Sequence, residues 1–253
     1  MTDGRFVGRS VLVTGGGSGI GRATALAFAA GGAQVVVSGR RPEPLAETVE
    51  LIDKAGGTGY AVPADTRIDA EARALVEATV ERTGGLDIAV NNAGIPSWGR
   101  VTEMDPAEWH EVVDTNLNGL WLCLRHQIEQ MRHHGGGSIV NVGSRIGAHM
   151  RVSHQSAYAA SKSAVSTLTR SAALEYIREG VRINAVSPGP TDTEMSVWPG
   201  EAPADRERRI ERDVPAGRLA DPAEIAAAIA WLASAEAAFV VGHDLVIDGG
   251  MSA

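Results

Sequence analysis

A tyrosine and a lysine stand four residues apart in this chain, at Tyr158 and Lys162. Although the chain has 23 basic residues, only Lys54 and Lys162 are lysines. Residues four apart on a helix share a face, so the ammonium group can lie beside the phenol. A free phenol has a pKa of about 10, and a nearby positive charge lowers that pKa. The pair therefore predicts a tyrosine that acts as a general acid and base; the alternative is an exposed pair without chemistry.

A glycine-rich turn near the N-terminus has the composition of a phosphate cradle. Residues 10–14 are typical of a short buried strand, and residues 22–30 of a helix. The turn between them contains Gly15, Ser18, Gly19, Ile20 and Gly21. Glycine lets the backbone approach a pyrophosphate, and the N-terminus of the helix offers free N–H groups and a positive dipole end. The turn therefore predicts dinucleotide binding, and the alternative is a tight loop without a ligand.

Further motifs follow in an order that resembles the short-chain dehydrogenase/reductase family. They are the glycine turn after Thr14, Asn91-Asn92-Ala93-Gly94, Asn116, the segment Ile139 to Ser144, Tyr158 with Lys162, Pro188-Gly189, and Asp248-Gly249-Gly250. The motifs extend over about residues 7–250, which is nearly the whole chain. The resemblance implies an oxidoreductase that transfers a hydride between a nicotinamide cofactor and a carbonyl or secondary alcohol.

The resemblance also implies a role for each catalytic residue. Ser144 would bond the substrate oxygen, and Tyr158 would give or remove its proton. Lys162 would bond the nicotinamide ribose, and Asn116 would anchor a water that links Lys162 to solvent. The alternatives are that Asn116 bonds only local backbone and that Ser144 simply ends a strand. Many relatives have another serine at the position of Gly143, so we expect a more open pocket wall here.

The end of the second predicted strand indicates which cofactor is used. An acidic residue there would bind the ribose hydroxyls and favour NAD. The chain instead has Arg40 and Arg41, with no carboxylate before Glu43. Guanidinium groups suit a ribose phosphate, so we predict NADP, with NAD as the alternative. Asp65 resembles the family residue that bonds the adenine, although a turn role is also open.

Several other residues are assigned to the cofactor by the resemblance. Those not yet named in this role are Thr66, Asn92, Ala93, Gly94, Pro188, Gly189, Thr191 and Thr193. Tyr158 and Lys162 are expected to contact the cofactor as well as the substrate. No histidine shows metal-ligand spacing, so no metal site is predicted.

Length and composition limit the class of protein. A chain of 253 residues can form one domain with a large core. Its net charge of −8 argues against a nucleic-acid partner and against an anionic membrane surface. The single Cys123 suits a reducing cytoplasm, and we find neither an apolar signal segment nor a run of 18 apolar residues. We therefore expect a cytoplasmic enzyme with a small-molecule substrate.

Strands and helices alternate along the chain. The predicted strands are residues 10–14, 34–38, 58–62, 86–91, 138–142, 181–187 and 244–248. Helices are predicted between them, and Asp105-Pro106 and Asp221-Pro222 are typical helix openings. This alternation predicts an α/β fold: a doubly wound, Rossmann-like, seven-stranded parallel sheet with helices on both faces. Residues 1–253 are predicted to form a single domain.

Two segments are expected to shape the substrate pocket. The stretch at about residues 190–215 is predicted to be a long loop that acts as a lid over the substrate, and Trp98 and Trp198 are expected to line the pocket. Between Ser144 and Tyr158, four side chains could receive an anionic substrate group: Arg145, His149, Arg151 and His154. The alternative for that run is a solvated or subunit-contacting loop. Trp109, Trp121 and Trp231 are interpreted as core or interface residues.

Within the oxidoreductase class, a 3-oxoacyl-thioester reductase is one possibility and a ketone, sugar or polyol substrate is equally open. An NAD-dependent alcohol or polyol dehydrogenase of the same family is the main alternative. A regulator that binds a dinucleotide without turnover is disfavoured because it needs no acid/base group, and an epimerase or dehydratase ranks last. Helices near residues 117–132 and 157–179 resemble those that pair across subunits, so we expect a homotetramer.

Overall fold

A parallel sheet forms the centre of the protein in the computed structural model, which describes residues 4–198 and 200–253. The seven strands within those residues are β1 (Ser10–Thr14), β2 (Gln34–Gly39), β3 (Thr58–Pro63), β4 (Ile88–Asn91), β5 (Gly137–Val142), β6 (Val181–Pro188) and β7 (Asp244–Ile247). Their order is β3-β2-β1-β4-β5-β6-β7, and every neighbouring pair is parallel. Each predicted strand is present, with bounds that differ by at most two residues.

Helices cover both faces of the sheet. In the described part of the chain they are α1 (Gly19–Ala30), α2 (Pro42–Lys54), α3 (Asp69–Thr83), α4 (Pro106–Val113), α5 (Gly119–Arg132), α6 (Ser156–Tyr176), α7 (Pro203–Asp213) and α8 (Pro222–Ala233). One core contains buried residues of α1, α2 and α8, and the other those of α3, α5 and α6. The predicted doubly wound fold is therefore confirmed.

Alternation along β1 shows why the sheet needs both helix layers. Val11 and Val13 pack into the core with Phe28 of α1, whereas Leu12 packs into the opposite core with Leu75 of α3. All five of these side chains are at most 1% exposed. Burying one such side chain stabilises the fold by about 1.5–3 kcal/mol, so each face of the strand contributes.

Both predicted helix openings are present. The Asp105 carboxylate accepts a hydrogen bond from the Ala107 N–H at 2.8 Å at the start of α4. Asp221 caps α8, and the Glu224 carboxylate in turn accepts from the Asp221 N–H at 2.8 Å. Between α4 and α5 the chain makes a π-helical turn at Asp114–Asn118, so the long predicted helix contains one wide turn.

Two expectations need correction. The stretch at residues 190–215 is not a plain loop, because it contains a 3₁₀ turn at Glu194–Ser196 and the whole of α7. Pro199, in the same stretch, lies outside the described residues. For the three tryptophans interpreted as core or interface residues, exposures of 40%, 46% and 37% exclude the core and leave the interface as a prediction: Trp109, Trp121 and Trp231. Within the described residues, no helix is both long and apolar enough to cross a bilayer.

Candidate active site

A cleft opens where the strand order reverses between β1 and β4, at the carboxyl ends of the strands. Ligands of doubly wound sheets bind at such a point. The cleft has a volume of about 1010 Å³. The predicted site residues that line it are Gly15, Ser18, Gly19, Ile20, Asn92, Ala93, Gly94, Ser144, Tyr158, Lys162, Pro188, Gly189, Thr191 and Thr193. Those that do not line it are Gly21, Arg40, Asp65, Thr66 and Asn116.

Tyr158 and Lys162 lie on one face of α6, one turn apart. The Lys162 Nζ is 5.8 Å from the centroid of the Tyr158 ring. It donates a hydrogen bond of 2.8 Å to the Val142 carbonyl at the end of β5, which fixes the side chain across the cleft wall. Lys162 is only 4% exposed, so the interpretation as a solvated surface pair is excluded.

The electrostatics of the pair differ from the expectation. Burial raises the pKa of the Tyr158 phenol, while a hydrogen bond with Ser144 and the charge of Arg145 act in the opposite direction. The net shift is therefore opposite to the predicted one, because desolvation of the phenol dominates. Burial also lowers the pKa of Lys162 from 10.5 to about 8, which leaves most of its amino groups charged at neutral pH.

Ser144 follows β5 and meets the phenol. Its Oγ accepts a hydrogen bond from the Ile146 N–H at 3.1 Å, and the same side chain acts to lower the pKa of the Tyr158 phenol. The preceding Gly143 does not open the pocket wall as expected, since a Cβ there would lie 2.7 Å from the Ser187 Oγ. The hydroxyl of Ser187 fills the space, and it donates to the buried Asp244 carboxylate at 2.6 Å.

Asn116 lies behind the cleft wall, in the π-helical turn. Its Oδ1 accepts from the Ile95 N–H at 2.8 Å and its Nδ2 donates to the Ile95 carbonyl at 2.9 Å. The same Nδ2 donates to the Ser161 Oγ at 3.2 Å, so the side chain joins the β4 loop to α6. These bonds reach well beyond local backbone. A Cβ on Gly94 would lie 3.2 Å from the Asn116 Oδ1 and 3.4 Å from the Lys162 Nζ, so the three residues are packed together.

Two glycines of the turn occupy positions where a side chain would collide with neighbouring atoms. At Gly15, where φ is +64°, a Cβ would lie 2.7 Å from the Asn92 Nδ2. At Gly21 a Cβ would lie 2.1 Å from the Gly15 carbonyl oxygen, so Gly21 serves close packing behind the turn. Ser18 begins α1 without a side-chain cap, and the first-turn N–H groups remain available to a ligand. The turn therefore fits a dinucleotide phosphate.

Two C-terminal motifs pack against each other on the far side of the cleft. A Cβ on Gly189 would lie 2.6 Å from the Asp248 Cβ, so only glycine allows the close approach of the loops after β6 and β7. Farther along the first loop, the Thr193 Cγ2 lies 3.0 Å from the position of a Cβ on Gly19. This loop therefore faces the glycine turn across the cleft.

Arg40, Asp65 and Thr66 lie at the ends of β2 and β3, apart from the cleft. Arg40 is exposed, and its Nη1 is 4.0 Å from a Glu111 carboxylate oxygen. Asp65 accepts from the Arg67 guanidinium at 2.5–3.0 Å. That bond holds the Asp65 pKa below its usual value, and Arg40 adds a smaller effect in the same direction. The contact with Arg67 two residues away favours the turn role of Asp65.

The structure brings residues to the cleft that the sequence did not identify. Two arginines of α7 line it, Arg206 and Arg209, together with Gln155, whose buried Oε1 has no hydrogen-bond partner among the residues that the structure describes. Their spacing of three residues would have placed both arginines on one face of a helix. The segment was predicted to be a loop, so this spacing was not considered. Trp98 and Trp198 line the cleft as expected, with ring centroids 5.5 Å apart.

Of the four candidates for binding an anionic group, one lines the cleft and three do not. Arg145 lines the cleft. His149 instead bonds the Asp244 carboxylate, with 2.8 Å between its Nε2 and the oxygen. Arg151 and His154 are exposed. Among the described residues, no group of three potential metal ligands is present.

A parallel sheet with a phosphate-binding turn and a Ser–Tyr–Lys cleft defines a class of dinucleotide-dependent enzymes. The family model described as Enoyl-(Acyl carrier protein) reductase matches residues 15–252. The chain belongs to the short-chain dehydrogenase/reductase family, and it is an NAD(P)-dependent oxidoreductase. The predicted family and enzyme class are thereby confirmed.

Individual relatives match along almost their whole length. A cis-4-hydroxycyclohexanecarboxylate dehydrogenase from Sinomonas cyclohexanicum is 41% identical over 249 residues, which are 98% of each chain. An A-factor type gamma-butyrolactone 1'-reductase from Streptomyces virginiae is 42% identical over 258 residues, covering 100% of this chain and 99% of that one. A solved structure of an actinorhodin polyketide ketoreductase variant with NADPH has a TM-score of 0.92 and 35% identity, covering 96% and 97% of the two chains.

Proposed function

We propose that the protein interconverts a ketone and a secondary alcohol with NADP(H), using Tyr158 as general acid and base. The observation that carries the proposal is that Ser144, Tyr158 and the buried Lys162 line the same cleft as the glycine turn. Relatives named for an alcohol dehydrogenation and for ketone reduction support this substrate chemistry. The bound nicotinamide supplies or accepts the hydride.

Each side chain has a separate task in this proposal. The Ser144 hydroxyl donates to the substrate oxygen and holds it beside the Tyr158 hydroxyl, which transfers the proton. The Lys162 ammonium bonds the nicotinamide ribose and favours the phenolate when the proton leaves. Asn116 anchors the water that returns protons to Lys162. The glycine turn and residues 191–193 hold the pyrophosphate between them.

Arg40 supports NADP as the cofactor. It follows β2 directly, where the second strand of such a fold meets the adenosine ribose, and its side chain is exposed to an approaching phosphate. The nearest acidic group, a Glu111 carboxylate at 4.0 Å, is itself exposed and holds it weakly. Binding of NADPH by a relative of 35% identity supports the same choice.

Arg40→Asp is expected to raise KM for NADPH by about 30-fold, because it replaces a phosphate ligand by a repelling carboxylate. KM for NADH should change less than about threefold. Initial rates with both cofactors measure the difference. Arg100→Asp, at an exposed arginine that does not line the cleft, is the matched control and should leave both values unchanged. Equal effects of Arg40→Asp on both cofactors would contradict the choice of NADP.

A substrate panel tests the function as a whole. It contains cyclohexanone, 4-oxocyclohexanecarboxylate, a short sugar ketone and a 3-oxoacyl thioester, each with NADPH and NADH, followed by the absorbance of the reduced nicotinamide. We expect turnover of at least one cyclic ketone and preference for NADPH. Turnover of the thioester alone would favour a 3-oxoacyl-thioester reductase. Cofactor binding without turnover of any member, in either direction, would favour a non-catalytic regulator.

We also propose a homotetramer in the cytoplasm. Exposed apolar side chains on the helices expected to pair across subunits support the assembly: Trp121 and Leu174, which are 46% and 78% exposed. Sedimentation equilibrium should give a particle of four chains. If Trp121→Glu sediments with the same mass as the parent protein, α5 is not part of the interface.

A further inference from the structure

Arg145 carries a buried positive charge beside the reacting groups. It directly follows Ser144, lines the cleft and is only 8% exposed. It forms no salt bridge with any residue that the structure describes, and its side-chain hydrogen bond goes to the Met150 sulfur. A thioether is a weak acceptor, so the guanidinium retains most of its bonding capacity for a ligand.

The three other arginines that line the cleft are already paired. Arg22 donates to a Glu47 carboxylate oxygen at 2.8 Å. The Arg209 guanidinium bonds both oxygens of Glu201, at 2.6 and 2.8 Å, and lies over the Trp198 ring at 4.1 Å. Arg206 donates to Asp192 at 3.0 Å. The contacts of Arg206 and Arg209 fix the lid. Of the four arginines that line the cleft, Arg145 is the one without a carboxylate partner among the described residues.

Burial without a partner is unfavourable for an ion, and the fold nevertheless keeps Arg145 in place. Burial lowers the pKa of its guanidinium, while Asp248 and Asp213 act in the opposite direction from beyond bonding distance. The guanidinium remains charged, because its usual pKa is far above neutral. A buried charge in a substrate cleft that has no bonded carboxylate among the described residues is suited to an anion that arrives with the substrate.

We propose that Arg145 forms an anion-binding subsite and that the substrate carries a carboxylate in addition to its reacting ketone or alcohol. This inference rests on the proposed function. A single guanidinium binds one carboxylate with two parallel hydrogen bonds. Acidic side chains nearby favour a group with one negative charge over a dianionic phosphate: Asp192 and Glu194 in the cleft wall, with Asp213 and Asp248 next to Arg145.

Paired ligands test the subsite without requiring turnover. Cyclohexanecarboxylate and its neutral amide, cyclohexanecarboxamide, are titrated calorimetrically into the full chain saturated with NADP⁺. We expect the carboxylate to bind at least about tenfold more tightly to the parent protein, as charge-assisted hydrogen bonds provide. Arg145→Gln should bring the ratio to about one. Arg151→Gln removes the same charge from an exposed position of the same segment and should keep the ratio.

Several outcomes would overturn the subsite. They are equal binding of the two ligands by the parent, no measurable carboxylate binding at millimolar concentration, or an effect of Arg145→Gln on NADP⁺ affinity that exceeds its effect on the carboxylate. If Arg145→Gln fails to fold, Arg145→Lys replaces it as the test. Lysine keeps the positive charge but lacks the paired N–H donors of the guanidinium, so we expect a carboxylate-to-amide affinity ratio between one and the parent value. A carboxylate-to-amide ratio in Arg145→Lys equal to that of the parent would contradict binding by two parallel guanidinium hydrogen bonds.

The calorimetric titrations and the substrate panel test the anion subsite and the proposed reaction independently of each other. A carboxylate preference that depends on Arg145 in a protein without turnover would keep the subsite and remove the proposed reaction. Turnover of neutral and carboxylated ketones with equal kcat/KM would keep the reaction and remove the subsite.

Discussion

Replacing Tyr158 by phenylalanine is expected to lower kcat by about 10³-fold while the Kd for NADPH stays within about threefold of the parent value. The substitution removes only the phenol hydroxyl, which lines the same cleft as Ser144. The ring keeps its place one turn from Lys162, so the cleft and the cofactor site retain their shape. Steady-state kinetics on the best substrate of the panel and fluorescence titration with NADPH measure the two quantities.

Tyr176→Phe is the matched control for this variant. Tyr176 lies at the other end of α6, where it packs against the core rather than the cleft. The same loss of a hydroxyl there should leave kcat unchanged. A Tyr158→Phe protein that works at the parent rate would exclude the phenol as the acid and base. A parallel loss of NADPH affinity would show that the variant had damaged the site as a whole.

Local sequence patterns were sufficient for the sheet and for much of the cleft. Runs such as residues 34–38 are apolar and β-branched, and each is followed by a segment of helical period, so strand type and order along the chain could be derived. Residues predicted from short motifs at the ends of β1, β4, β5 and β6 meet in one cleft, because the carboxyl ends of parallel strands share an edge of the sheet.

The remaining features depend on contacts between distant segments. Gly143 was expected to open the pocket, but the Ser187 hydroxyl, 44 positions away, occupies the space. The charges that act on Arg145 include Asp213 of α7 and Asp248 after β7, which sequence spacing cannot bring together. The pKa of Tyr158 follows from desolvation, which is set by everything packed around the phenol, and not from the adjacent lysine alone.

Burial also removes the Lys162 ammonium from water, and this desolvation has consequences for both activity and stability. A group useful for proton transfer is held in the cleft wall, where its charge is poorly solvated. Functional sites commonly retain such an unfavourable group because activity requires it. A variant that removes the charge should therefore be more stable and less active than the parent.

Lys162→Met is expected to lower kcat at least about 100-fold and to raise Tm by about 5 °C at pH 7. A depression of the Lys162 pKa from 10.5 to about 8 corresponds to about 3 kcal/mol of destabilisation. Loss of the hydrogen bond to the Val142 carbonyl offsets about 1 kcal/mol of the gain. Methionine keeps the length and apolar stem of lysine, so packing should change little.

The pH dependence of this gain identifies its cause. Below pH 8 the folded and unfolded states both hold the Lys162 proton, and the parent carries the full cost of the buried charge. Between pH 8 and pH 10.5 the folded state releases the proton first, so the parent gains stability as pH rises and the advantage of Lys162→Met shrinks. Thermal melts of both proteins at pH 7 and at about pH 9.5 measure this change in the difference.

Lys54→Met, at an exposed lysine paired with Glu50, should show no such gain. A difference between Lys162→Met and the parent that is equal at both pH values would mean that packing, and not the buried charge, stabilises the variant.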